Sequence, residues 1–94
     1  MHTIWKFLVQ PSVFVLDLPS RARFPDVQIQ EDEPQMWFLV DPDAEKVKRQ
    51  FVAFGTGHNV PEAEKLTHLG TFQLPHEELV FHLFEYDALA PVRS

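Results

Sequence analysis

Two of the chain's three glycines flank a threonine and lead into a histidine at Phe54-Gly55-Thr56-Gly57-His58. Glycines at such a bend let a ligand approach the main chain, while Thr56 and His58 add a hydroxyl and an imidazole to the same small region. Successive N–H groups in a turn of this kind can cradle an anion, and Arg49, just upstream beside Lys46 and Lys48, would supply positive charge. The candidate ligand-binding set is therefore Arg49, Gly55, Thr56, Gly57 and His58. The competing reading is a tight turn or bulge closing a strand, with His58 capping backbone. The stretch is not a phosphate-binding loop: no Gly-Lys-Ser/Thr follows it and no parallel crossover unit precedes it.

Other chemistry is thinly supported. His58, His68, His76 and His82 could meet in space with Asp41 or Glu85, but no His-x-His or His-x-x-x-His pair fixes two ligands on one face, so neither a metal nor a cofactor is expected. His82 points by parity with Val80 and Phe84 and reads as a half-buried, hydrogen-bonded histidine. Acid–base work by His58 or His82 with Asp41 or Glu85 lacks a nucleophile. Ser12, Ser20 and Ser94 fall in connections or the tail, Thr56 has no evident base, and the chain has no cysteine. Binding is favoured over catalysis, and no catalytic residue is assigned. Trp5 and Trp37 offer faces on which a nucleobase could stack, yet each sits in an apolar run where core packing is the simpler use.

The elements that must carry these residues have a period of two. Residues 3–10 form a first strand with Trp5, Phe7 and Val9 on one face and Ile4, Lys6 and Leu8 on the other; Pro11 ends it. Val13 to Leu18 is a second, stopped by Pro19 before the polar connection Ser20-Arg21-Ala22-Arg23. Residues 26–31 alternate cleanly, Asp32-Glu33-Pro34 makes a tight connection, and Met36 to Val40 completes a hairpin. Asp41-Pro42-Asp43 is a turn, and a charged strand at about 47–54 delivers the glycine-rich bend. Pro61-Glu62-Ala63-Glu64 could start one helical turn after Asn59. His68 to Leu74 and Glu78 to Tyr86 are the last strands, the second apolar on both faces and so central. The tail from Asp87, with Pro91, lacks periodicity. The expected fold is all-β, a compact antiparallel sandwich or small open barrel of about seven short strands with minor helix, in a single domain over residues 1–94.

Composition narrows the setting. Ninety-four residues bury a modest core, and nine Phe, two Trp and one Tyr are more aromatic area than so small an interior needs. That excess, with sheet edges to cover, predicts a homodimer. A net charge of −6 argues against generic nucleic-acid binding. The first residues lack a secretory pattern and no run approaches the roughly 18 apolar residues of a membrane span, so a cytoplasmic protein with no membrane partner is expected.

Ile4-Trp5-Lys6-Phe7, Val27-Gln28-Ile29-Gln30, Trp37-Phe38-Leu39-Val40-Asp41-Pro42, Gly55-Thr56-Gly57-His58, Gly70-Thr71-Phe72-Gln73 and Leu79 to Glu85 together resemble a family of short, functionally unassigned proteins of tailed phages and bacteria. The resemblance spans almost the whole chain, Leu8 to Leu18 matching least. It implies a small accessory protein, working in the host cytoplasm if phage-encoded, and lends no known activity. Two functions fit. One is sequestration of an anionic small molecule or nucleotide signal by the Gly-Thr-Gly-His site, an anti-defence role for a phage. The other is an acidic inhibitor or adaptor acting on a host protein through a surface that includes Glu31, Asp32 and Glu33.

Overall fold

A computed structural model describes residues 1–88. The alternating pattern becomes seven strands: β1 Thr3–Leu8, β2 Phe14–Pro19, β3 Arg23–Gln30, β4 Glu33–Val40, β5 Lys46–Gly55, β6 Leu66–Gln73 and β7 Val80–Tyr86. They form two antiparallel sheets, ordered β1-β4-β3 and β2-β5-β7-β6. This is the sandwich of the two expected architectures; the sheets do not close into a barrel.

Alternation decides which side chains meet between the sheets. From the three-stranded sheet, Met36, Phe38 and Val40 of β4 are fully buried, with Val27 of β3 and Val9 beyond β1 beside them. From the four-stranded sheet come Phe14, Leu18, Phe51, Phe72 and Leu83. Phe38 sits at the centre, its ring 6.1 Å from Phe7, 5.6 Å from Phe24 and 5.8 Å from Phe51 of the opposite sheet. Phe14 stacks on Phe51 at 5.5 Å. Edge-on and offset ring pairs of this kind add about 0.5–1.5 kcal/mol each beyond the area they bury, so the aromatic excess is spent largely on gluing sheet to sheet.

The sandwich is tightest along the β3 and β6 flank. A Cβ built on Gly70 of β6 would stand 2.7 Å from Val27 Cγ1 of β3, closer than carbon atoms tolerate. The missing side chain is what lets the two sheets touch here. Immediately before it, the β6–β7 pairing slips between His68 and Gly70, leaving Leu69 as an extra residue packed toward the core.

Several boundaries differ from the sequence reading. β3 begins at Arg23 rather than 26, because Pro25 is absorbed at a register shift between Arg23 and Asp26. The hairpin turn is Glu31-Asp32, with φ of 52° and 66°, and Glu33 and Pro34 already belong to β4. Two positive-φ residues between Gln30 and its partner Glu33 make a type I′ turn, the form whose twist suits a hairpin. The expected helical turn is a single 3-10 turn, Ala63–Lys65, entered from Glu62 at φ 56°. β7 is interior to its sheet as expected, but no second layer covers its outer face within the described residues. Asp87 is docked, its amide bonding Lys65 O at 2.8 Å and its carboxylate accepting from Thr67 at 2.6 Å; Pro91 lies outside the described residues.

Two stability measurements check these contacts. Gly70→Ala should destabilise by about 1–3 kcal/mol through overpacking, and in a thermal-melt cycle Gly70→Ala with Val27→Ala should cost less than the two singles added. Glu31→Asn with Asp32→Gly relieves two strained left-handed residues and should raise stability by about 1 kcal/mol, read as a melting point several degrees higher.

Candidate functional site

β5 ends in a turn closed by His58 N–H donating to Gly55 O at 3.0 Å. Gly57 has φ 87°, the left-handed third position that a type II turn reserves for glycine. The Thr56 amide donates to Val80 O at 2.8 Å, tying the turn to the start of β7. The amides of Thr56 and His58 are thus engaged inside the fold, and the expected cradle of successive free N–H groups is not formed.

The two candidate side chains of the turn also part company. Gly55 shares the inner face of β5 with Ala53, and the His58 ring folds over that side, its Cε1 3.0 Å from where a Gly55 Cβ would stand. Thr56 belongs to the outer face. Arg49 lies six residues before Gly55 along β5, about 20 Å at strand rise, and points inward. Its Nε and Nη2 donate to Glu85 Oε2 and Oε1 at 2.6 and 2.7 Å, and Nη1 donates to Ala22 O at 2.6 Å. The guanidinium also stacks over Phe38 and Phe51, 5.3 and 6.0 Å from their ring centres. Of the five candidate residues, the structure keeps Gly55, Thr56, Gly57 and His58 in one turn and gives Arg49 a separate, structural role.

What Thr56 meets instead is a chain of polar side chains across the outer face of the four-stranded sheet. Its hydroxyl lies 3.1 Å from Val80 O and 2.8 Å from His82 Nε2. His82 Nδ1 is 3.2 Å from Thr71 Oγ1, which is 3.2 Å from His68 Nε2. With both imidazoles neutral, one arrangement of hydrogens satisfies every contact. Val80 O can only accept, so Thr56 donates to it and accepts from His82 Nε2–H; Thr71 then donates to His82 Nδ1 and accepts from His68 Nε2–H. The Thr56 proton is therefore directed to the backbone, not to an imidazole base, and the hydroxyl is held as an acceptor rather than activated as a nucleophile.

Aromatic rings adjoin this chain. His68 lies 5.3 Å from Phe84 and 6.1 Å from His82, and Phe84 is 6.0 Å from Phe54. Of the four histidines weighed as ligands, only His68 and His82 come together in this cluster, and among the described residues no group of three or more His, Cys, Asp or Glu could hold a metal. Trp5 and Trp37 occupy opposite faces of the three-stranded sheet, Trp5 opposite Phe38 and Trp37 opposite Lys6, so they cannot clasp one base between them. A separate cleft of about 240 Å³ opens between the sheets, lined by Val9, Pro11, Pro34, Ala53, Phe72 and Phe81 among others. This hollow is apolar, and the polar cluster lies on an open face.

Sequence reasoning placed His82 on its correct face but missed its partners. Strict alternation puts His68 and Thr71 on opposite sides of β6; the extra residue between His68 and Gly70 brings both outward, opposite Phe84 and His82. A glycine inside a strand pattern was the available signal for that bulge.

The fold and cluster define an all-β sandwich with a hydroxyl–imidazole platform on one sheet. The chain belongs to the family described as Domain of unknown function (DUF7352), whose model matches residues 1–93. No curated protein and no solved structure matches it. Among the described residues, no helix is long and apolar enough to cross a membrane.

The role assigned to Arg49 is measurable. With about a fifth of each side chain exposed, Arg49→Met should strand the Glu85 carboxylate and destabilise by about 3 kcal/mol. Adding Glu85→Leu should recover most of that loss in urea unfolding.

Proposed function

We propose that this protein binds and sequesters a small, planar, hydrogen-bonding molecule of the nucleobase or nucleoside class on the platform formed by Thr56, His68, Thr71 and His82. The observation that carries this reading is the single directed hydrogen-bond chain through all four side chains, at 2.8–3.2 Å. With every hydrogen of the chain used internally, what it holds out to a ligand is acceptors, the remaining lone pairs of Thr56, Thr71 and His68 Nδ1, fixed in place at little entropic cost and matched to the N–H and amino donors of a base. The half-buried rings of Phe54 and Phe84 beside it meet edge to face at 64°, and one ring face of the pair would carry a stacked base, worth about 1–3 kcal/mol. The engagement of Arg49 with Glu85 removes the charged clamp, so recognition rests on the base rather than on a phosphate.

Sequestration suits the site better than turnover, because the threonine hydroxyl beside the histidine has its proton committed to Val80 O. A second reading, an acidic adaptor for a basic protein, is favoured by the exposed hairpin tip at Glu31-Asp32-Glu33.

Two-dimensional NMR titration with adenosine, guanosine, their 5′-monophosphates and 3′,5′-cyclic nucleotides tests the proposal. Shifts should concentrate at Thr56, His68, Thr71 and His82, and Thr56→Val or His82→Ala should weaken binding about tenfold, the worth of one or two hydrogen bonds. Charge reversal at Glu31, Asp32 and Glu33 should leave that binding unchanged. No shift with any of these probes at millimolar concentration would overturn the reading.

A further inference from the structure

A sheet edge offers unpaired N–H and C=O groups, and folded chains blunt such edges with proline, bulges, charge or cover. Among the described residues, three of the four sheet edges carry such devices. β3 has Pro25 at a register shift and packs on β6; β6 has its slip between His68 and Gly70; β2 ends in Pro19 and carries Asp17, paired with Lys48 at 3.0 Å. β1 has no proline, acid or bulge, and pairs with β4 in unbroken register from Thr3 opposite Val40 to Leu8 opposite Gln35.

The orientation of its free groups follows from one bond. Val9 N–H donates to Pro34 O of β4 at 2.9 Å, continuing that register. Peptide groups alternate sides along an antiparallel strand, so Ile4, Lys6 and Leu8 direct their N–H and C=O to the open edge. Their side chains share the outer face, where Ile4 is 59% and Leu8 43% exposed. Lys6 is the one charge on the strand. Its Nζ reaches across β4 to Gln30 Oε1 of β3 at 2.9 Å, away from the edge it would otherwise guard.

We propose that β1 pairs antiparallel with β1 of a second copy of this chain, about a two-fold axis at Lys6, merging two three-stranded sheets into one of six. The occupant is a second copy because, apart from the like-charged Lys6 pair on the axis, whose ammonium groups are each drawn away to Gln30, the edge is self-complementary in this register. Ile4 of each copy stands opposite Leu8 of the other, and on the inner face Trp5 stands opposite Phe7. A slip of two residues toward the N-terminus sets Ile4 against Lys6 and loses that match. The strand contributes no acid, so the contact itself escapes the net charge of −6 on each chain.

The absence of native cysteine makes the register directly readable. Residues facing each other in a hydrogen-bonded pair lie about 5.5 Å apart at Cα, within disulfide range. Lys6→Cys should cross-link to itself on mild oxidation; Ile4→Cys and Leu8→Cys should each resist alone and link when mixed. Light scattering should give the wild type twice its 11.0 kDa chain mass. Leu8→Lys, checked for folding by circular dichroism and thermal melting, should weaken dimerisation at least tenfold. A wild type that stays at 11.0 kDa at millimolar concentration overturns the interface. A dimer in which Ser12→Cys links as fast as Lys6→Cys overturns its placement on β1.

Discussion

The ion pair between Arg49 and Glu85 is the constraint from which the rest of the molecule takes its alignment. A guanidinium in an aromatic interior is tolerable only when its donors are met, and here three nitrogens find acceptors within 2.7 Å while the flat cation rests on Phe38 and Phe51. The groups it contacts come from different parts of the chain. Glu85 belongs to β7, Ala22 O to the connection that passes from one sheet to the other, and Phe38 to the opposite sheet. One side chain thereby sets the register of β5 against β7 and the seating of sheet on sheet. The platform inherits that register: a one-residue slip between these strands would turn His82 inward, and a two-residue slip would carry it past Thr56.

How much of this was readable beforehand depended on whether local alternation survives in the fold. Where it does, as in Trp5-Lys6-Phe7 or Phe81-His82-Leu83-Phe84, the faces were legible residue by residue, and with them the all-β class and the central place of β7. Where an extra residue intervenes, parity fails downstream, which is why Pro25 concealed the start of β3 and Gly70 concealed the companionship of His68 and Thr71. Arg49 misled for another reason. Its proximity in sequence to a glycine-rich turn suggested cooperation, but a strand carries six residues about 20 Å, and its alternation points an odd-numbered arginine into the core while Thr56 faces out. Long-range pairing of charges leaves no local imprint, so Glu85 was weighed as an acid–base partner of histidine and not as the counter-ion of Arg49.

The two faces of β5 illustrate a division of labour. Inward, Arg49, Phe51 and Ala53 hold the sandwich together and end at the apolar cleft beside Phe81. Outward, Phe54 and Thr56 meet residues of β7 and β6 that are half-covered or exposed, and polar side chains there bond to one another, with Thr56 anchoring them to the backbone at Val80 O. Placing these polar side chains on strands, braced by a packed interior directly beneath, restricts their rotamers in a way that a loop could not.

Pairing across the sequence has a consequence for how the chain is made. β1 must wait for β4, and β2 for β5, so the two pairings interleave and neither sheet can be completed from a contiguous stretch. During synthesis at roughly 5–20 residues per second, the apolar segment Ile4-Trp5-Lys6-Phe7-Leu8 leaves the ribosome seconds before its partner strand emerges. Neighbouring nascent chains on one message would carry the same unpaired segment at high local concentration, so the length of the polysome queue, and the chaperones attending it, would govern the yield of folded protein.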